Sequence, residues 1–386
     1  MRNLLFKIFS IIVAAMTATG CSHGYDAPEV TEVQRAVLVY MVANNSLGAA
    51  GFDAADLNEM VIAAQQGDFG DSRLFVYHHG RNYAPALLEI TPEGEHTVIG
   101  YNTTQSSVSS SRMDRVISDF MRQAPAQRYG LILWSHGSGW IENGIEQPAT
   151  LTAEAGNGGV SALSFGDDGG RYMNVTTLAG ILRDRGFDYI YFDCCYMAGV
   201  EIAYELRHCA DHIVASSTEL PSNGMPYDET LRHLLKPDAD LVAAARTTFD
   251  SYNAQQGMNR TCTISVIDTD ALDALADATR AVYSANNVNS EGFSPQQFMT
   301  SSCYIFDFGQ YVDDLAAPFP ALKTDFDNAL DAAVVYKAST QRLWNTLQLT
   351  HHSGLSTYLP GFSTTARYNY DNLQWAADVA SALERQ

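Results

Sequence analysis

The sequence predicts an α/β fold built on a mainly parallel sheet, and three observations carry that prediction. Short apolar runs rich in β-branched and aromatic residues alternate with segments of helical periodicity, the pattern of strands joined by helices. Two of these runs, Leu131 to Gly137 and Tyr189 to Cys195, end in reactive side chains, as a buried parallel strand does when it presents chemistry at its carboxyl end. The composition is globular: 386 residues, 46% hydrophobic and 11% aromatic, enough to bury a large core in one large or two coupled domains.

The elements follow in order. Arg2 and Lys7 flank the start of an apolar run that reaches Ala18, followed by small residues before Cys21. That run is too short and wrongly flanked for a spanning helix, so residues 1–20 read as an export signal. Thr19-Gly20-Cys21 resembles a lipoprotein signal, which would make Cys21 the lipidated first residue and residues 21–32 a flexible tether. Ordinary secretion with an incidental cysteine is the other reading. Arg35 to Ala43 is a buried strand closed by a turn at Asn44-Asn45, and Leu57, Met60, Val61 and Ala64 recur at helical spacing. Strands follow at Leu74 to Tyr77 and Ala86 to Ile90, with Thr97 to Tyr101 as the hairpin neighbour of the latter. A helix from Ser111 to Arg122 leads through Pro125 to the His136 strand. Ser138 to Gly170 is rich in Gly, Ser, Thr, Asn and acidic residues with little periodicity, the pattern of a functional loop or a disordered one.

A helix from Val175 to Arg183 precedes the strand that carries Cys194 and Cys195. A second helix, from Val200 to Leu206, places Cys195 just before a helix amino terminus, where partial positive charge favours a thiolate. Further on, the pattern predicts strands at His212 to Ser216, Thr263 to Ile267 and Gly354 to Pro360. It predicts helices at Leu231 to Phe249, Ala271 to Tyr283, Phe308 to Leu315 and Phe326 to Lys337.

The formal charge of −21, from 23 basic and 44 acidic residues, argues against a nucleic-acid partner, which needs clustered Lys and Arg. A cationic substrate or a divalent cation suits that field better. Without Cys21 five cysteines remain, an odd number that leaves at least one thiol free in an exported chain. Disulfides are too few to hold so long a chain together. The adjacent pairs His78-His79 and His351-His352 point apart if they lie in strands, and no further ligand pattern completes a zinc site. Asp167-Asp168-Gly169-Gly170 reads as a solvated turn, and nothing resembles an EF-hand loop.

His136 and Cys195 lie 59 residues apart, so only folding can bring them to one sheet edge, where an imidazole and a thiol make a catalytic pair. His136 followed by Gly137-Ser138-Gly139-Trp140, with Asp193-Cys194-Cys195-Tyr196-Met197 and Glu201 later, resembles the clostripain-like cysteine peptidases. That family has a strand ending His-Gly-x-Gly-Trp and a later strand ending Asp-x-Cys-x-Met. The resemblance extends over most of the mature chain. It takes in Val39-Tyr40-Met41 with Asn45 and Leu47, Leu57-Asn58-Glu59-Met60, Ala215-Ser216 with Pro221, Gly224 and Tyr227, and Gly354-Leu355-Ser356 with Tyr358 and Pro360.

The resemblance implies a caspase-like fold: a mostly parallel central sheet with helices on both faces, a catalytic core at 33–230 and a C-terminal α/β extension, 231–386, packed on it. It makes His136 the general acid/base, Cys195 the nucleophile and the Gly137 backbone N–H an oxyanion donor, with the Cys195 N–H as a second. Alternate residues of a strand face opposite ways, so Cys194 and Cys195 cannot both reach the site. The family spacing selects Cys195 and leaves Cys194 a buried small hydrophobe. Asp193 would then receive the Lys or Arg side chain before the scissile bond. Its other reading is a structural carboxylate binding backbone amides at the strand-to-helix turn. Protein or peptide substrates with basic residues, a membrane met through the lipid anchor, and the calcium that some members require complete the implied picture. A catalytically silent member serving as a surface binding lipoprotein is the rival reading.

One departure concerns maturation. Relatives cut themselves after a basic residue in the loop that follows the histidine strand, yet residues 141–170 contain no Lys or Arg, and Arg171 is the first available. The expectation is that no such cut falls within 141–170.

Overall fold

The first strand, β1 (Val33–Ala43), is apolar from Ala36 to Ala43 and buried along that whole run, because it lies in the middle of a sheet covered on both faces. The structure, a computed structural model, describes residues 31–67, 69–140, 165–286, 293–299, 305–359 and 370–384. The expected export signal, Cys21 with most of its tether, and residues 141–164 of the expected loop lie outside the described residues. No helix among the described residues is long and apolar enough to cross a membrane.

After β1 come α1 (Ser46–Ala50), α2 (Phe52–Gln66), β2 (Arg73–Gly80), β3 (Ala86–Thr91), β4 (Gly94–Gly100), α3 (Ser110–Gln123) and β5 (Ala126–Trp134). They are followed by α4 (Val175–Leu182), β6 (Phe187–Asp193), α5 (Val200–Glu205), β7 (Ala210–Ala215), α6 (Tyr227–Leu234), α7 (Leu241–Asn253) and β8 (Thr263–Asp268). The last part holds α8 (Leu272–Ala285), β9 (Ile305–Asp307), α9 (Phe308–Ala316), α10 (Pro320–Ala333), β10 (Val334–Ser339), a short hairpin of β11 (Arg342–Leu343) and β12 (Leu347–Gln348), and β13 (Ser356–Tyr358).

Nine strands form one sheet in the order β10-β8-β7-β6-β5-β1-β2-β3-β4. The five central strands, from β7 to β2, run parallel. The edges β8, β10, β3 and β4 are antiparallel. Alternation along β1 divides the core. Ala36, Leu38, Tyr40 and Val42 face α3, α4, α5, α8, α9 and α10, while Val37, Val39, Met41 and Ala43 face α2, α6 and α7. The caspase-like expectation of a large sheet between two helical layers therefore holds, with the parallel strands confined to its centre.

Several local expectations are corrected. Leu231 to Phe249 is not one helix: Pro237 stands between α6 and α7, and a proline within a helical pattern breaks it. The run expected to be helical to Lys337 ends at Ala333, and Val334-Val335-Tyr336 instead opens β10, pairing antiparallel with β8. Those β-branched and aromatic residues prefer the pleated edge to a last helical turn. The late strand, β13, pairs with β9 outside the main sheet. Cys194, Cys195, Cys209 and Cys262 are free thiols.

Candidate active site

The site is built where β5 and β6 end together. Trp134 pairs with Asp193 as the last rung of their parallel ladder, so His136 and Cys195 each stand two residues beyond the same level of the sheet. The two departing turns press together. A Cβ on Gly137 would lie 2.7 Å from the Cys194 Cβ and 2.8 Å from the Cys195 carbonyl oxygen, so only glycine permits this approach. The structure thus brings His136, Gly137 and Cys195 to one rim. No described acceptor takes the Gly137 or Cys195 backbone N–H, which leaves both available to a developing oxyanion.

The vicinal cysteines separate as period-two geometry requires. Cys194 is 2% exposed and its Sγ donates to the Leu133 carbonyl at 3.0 Å, whereas Cys195 is partly exposed and accepts from the Leu220 N–H at 3.4 Å. Tyr196 takes φ +61, a left-handed conformation that turns the chain sharply away from β6. Its N–H donates to the Thr218 carbonyl at 3.0 Å, and the Ala198 N–H donates to Ser216 at 2.9 Å, so the loop after β7 backs the cysteine turn. Helix α5 begins only at Val200, capped by Gly199, so Cys195 is not at a helix amino terminus. Burial instead pushes its thiol up, to about 12. This corrects the expectation of a helix-stabilised thiolate.

His136 is held from two sides. Its Nε2 stands 2.8 Å from the Ser46 hydroxyl, and its carbonyl accepts from the Gly166 N–H at 3.0 Å. Burial lowers its pKa, and the nearby Asp167 acts against that. Ser46 was not legible as a site residue, because only the fold brings the end of β1 beside that of β5. The residue before it did give a local signal. Asn45 caps α1 by accepting from the Leu47 and Gly48 N–H groups at 2.9 and 3.4 Å. Its amide donates to the carbonyls of Val42 and Asp167, both at 2.9 Å, and to the Ser135 hydroxyl at 3.3 Å. One side chain therefore joins the ends of β1 and β5 to the segment that returns after residue 164.

Asp193 lies below the rim on the α2 side, 6% exposed. It accepts from the Met225 N–H at 3.1 Å and the Tyr227 hydroxyl at 3.0 Å. Burial raises its carboxyl to about 6 against the pull of those bonds. Gly224, at φ +64, packs on this carboxylate: a Cβ there would come within 2.7 Å of it. Asp56 is buried close by, accepting from the Trp134 indole at 2.6 Å, and burial together with the Asp193 charge raises it to about 9. Glu201 anchors β13 to α5 by accepting from the Thr357 hydroxyl and the Tyr358 N–H, both at 2.8 Å.

Asp168 is not the solvated turn residue expected. It is buried, accepting from Asn44 at 2.8 Å, from the Ser106 hydroxyl at 2.6 Å and from the Ser107 N–H at 2.8 Å. Asp167 accepts from the Gly170 N–H at 2.8 Å. These carboxylate oxygens are turned to protein donors and do not form an open set of calcium ligands. His78 pairs with Asp53 at 2.8 Å and His79 with the Ser107 hydroxyl at 2.7 Å. Among the described residues no group of three or more His, Cys, Asp or Glu is arranged to hold a metal ion.

Comparison with known proteins agrees with this architecture. A C11 protease from Parabacteroides distasonis, described as an inactive zymogen, is 28% identical, with a TM-score of 0.76 over 90% of this chain and 99% of its own. A secreted C11 cysteine protease from Bacteroides thetaiotaomicron, solved with an irreversible peptide inhibitor, is 26% identical, with a TM-score of 0.72 over 91% of this chain and 99% of its own. Another structure of a secreted C11 protease from that organism, called iotapain, is 23% identical with a TM-score of 0.78, covering 92% and 99%, a likeness of fold. A search of curated protein sequences gave no match. The model of the clostripain family, peptidase family C11, matches residues 39–378, and the chain belongs to that family of cysteine peptidases.

Proposed function

We propose that this chain is an exported cysteine endopeptidase that cuts after Arg or Lys, with Cys195 as nucleophile and His136 as general acid/base. The observation that carries the reading is the contact between the two post-strand turns: Gly137 lies against the Cys195 carbonyl while Ser46 holds the His136 ring. In the reaction His136 takes the thiol proton as Cys195 Sγ bonds to the scissile carbonyl carbon. The carbonyl electrons move onto oxygen, where the Gly137 and Cys195 N–H groups receive them. Collapse of this intermediate breaks the C–N bond, and His136 returns its proton to the leaving amine. Water, deprotonated by His136, then hydrolyses the thioester and restores the thiol.

Asp193 supplies the preference for a basic residue before the cut. Its buried carboxylate gains most from a cation brought beside it, because the pair forms out of water. Export rests on residues 1–20 and lipid anchoring on Cys21, and one relative is itself described as secreted.

The test is a fluorogenic peptide with Arg or Lys before the cleaved bond, assayed with the native chain, Cys195→Ala and Cys194→Ala. Loss in Cys195→Ala alone supports the proposal. Absence of activity in the native chain, after intact-mass analysis of its processing state, overturns it in favour of a silent binding protein. Palmitate labelling lost in Cys21→Ser tests the anchor.

A further inference from the structure

We infer that the open cleft at the carboxyl ends of β1 and β2 is a subsite for an acidic side chain of the peptide substrate, on the leaving-group side of the cut, an inference that rests on the peptidase reading above. The cleft encloses about 550 Å³, and Asn44, His79, Arg81, Tyr83, Thr103 and Arg171 are among its lining residues.

The charge of the cleft favours an acidic occupant. Several arginines elsewhere in this acidic chain are paired with acids: Arg35 with Asp188, Arg73 with Glu89 and Arg207 with Asp273. Arg81 and Arg171 are exposed, make no side-chain hydrogen bond or ion pair among the described residues, and line the same cleft. The one acid in its wall, Asp168, is buried and turned to Asn44, Ser106 and Ser107. A carboxylate entering here meets two guanidinium groups and no free anion, the setting for charge-assisted hydrogen bonds.

The backbone that carries these arginines is rigidly tied. Arg171 sits on a tight turn in which Asp168 and Arg171 exchange backbone hydrogen bonds of 2.9 and 3.3 Å, and the buried Asp168 side chain pins that turn. The Gly169 N–H ties it to the Asn44 carbonyl at 3.0 Å. Arg81 directly follows β2, so both guanidinium groups rise from fixed backbone. Tyr83, 61% exposed at the cleft, adds an apolar surface for a peptide to cover.

Position gives the direction. Along the rim the strands run β6, β5, β1, β2, so the cleft lies beyond His136 as seen from Cys195. The imidazole must stand next to the leaving nitrogen, and the line from Cys195 past His136 therefore follows the residues after the cut. Neighbouring strands are about 4.8 Å apart and an extended peptide advances about 3.3 Å per residue, which places the acid roughly three residues beyond the scissile bond.

The experiment uses internally quenched peptides with Arg before the cut and Glu or Gln at the third residue after it. The native chain is compared with Arg81→Gln, Arg171→Gln, the double variant and a control, Arg232→Gln on α6. Intact mass and thermal midpoint establish that all forms are equally processed and folded. The expected kcat/KM ratio of Glu to Gln peptide is about tenfold in the native chain and the control, falling close to one in the double variant. A ratio near one in the native chain, or a tenfold ratio that survives in the double variant, overturns the subsite while leaving the peptidase reading intact. Failure of the native chain to cut either peptide overturns the peptidase reading and the subsite with it.

Discussion

The Ser46 hydroxyl stands 2.8 Å from His136 Nε2. A hydroxyl can donate or accept, so Ser46 can hold the imidazole through one nitrogen in either neutral tautomer and in the cation, leaving Nδ1 to serve the reacting atoms. Ser46 opens α1, whose cap Asn45 is buried and bonded to Val42, Ser135 and Asp167, so the hydroxyl comes from a fixed backbone. Ser46→Ala is expected to lower kcat about tenfold with KM within about twofold, and Ser46→Thr to restore most of it. A fall in KM-dependent binding with kcat unchanged would contradict this positioning role.

The resting protonation state follows from burial. The Cys195 thiol is pushed up to about 12 and His136 is moved below its usual value, so at neutral pH the free enzyme holds a thiol and a neutral imidazole rather than an ion pair. The proton then moves only as the substrate carbonyl is attacked. Iodoacetamide alkylation of Cys195 without peptide is expected to climb steadily through pH 9. A rate plateau between pH 6 and 8 would reveal a preformed thiolate and sink this account. The proposed general base must be neutral to act, so a lowered His136 pKa is expected to displace the acid limb of the kcat/KM profile to pH values below 6.5.

What the sequence shows of this site, and what it hides, divides by the range of the interaction. The strands ending near His136 and Cys195 are local: an apolar β-forming run followed by polar residues announces itself within seven residues. The same run does not reveal where each strand begins, because Ala126, Arg128 and Phe187 are paired by neighbours rather than by their own propensity. Ser46 as a neighbour of His136 and the burial of Asp168 are hidden for a different reason. Their partners, His136 and Ser106-Ser107, are distant in sequence and meet them only because strand order places β1 between β5 and β2. The helix expected across residue 334 fails where helical periodicity and β-propensity compete, and tertiary pairing with β8 decides for the strand.

Gly137 sets how closely the turns after β5 and β6 approach. Its virtual Cβ, 2.7 Å from the Cys194 Cβ and 2.8 Å from the Cys195 carbonyl, meets atoms fixed by β6 rather than a movable side-chain end. Gly137→Ala must therefore spread the ends of β5 and β6 and shift the Gly137 N–H from its proposed oxyanion position. Loss of one oxyanion donor is worth roughly a hundredfold or more in kcat, so activity is expected to drop by about that factor. Circular dichroism and a thermal midpoint lowered by only a few degrees would show that the fold survives. Activity within twofold of the native enzyme would remove Gly137 from the oxyanion site.

Asp193 makes two demands that one substitution separates. Its carboxyl is raised from the ordinary range near 3.8 to about 6 in the folded chain, chiefly by burial. Between those values the folded state binds more protons than the unfolded one, so this group's contribution to stability is complete below pH 4, declines as pH rises, and is lost above about pH 6. The shift of about two units corresponds to about 3 kcal/mol. Asp193→Asn removes that slope, and its unfolding free energy relative to the native chain is expected to rise between pH 4 and 6 and then level. Its oxygen can still accept from Met225 or Tyr227, so the loop around Gly224 has a partner to close on. The charge that would meet an Arg or Lys side chain is gone, however. kcat/KM for peptides with Arg before the cut is expected to fall at least about thirtyfold, while a norleucine analogue changes little. An equal fall for both peptides would assign Asp193 to the turn alone and remove it from substrate recognition.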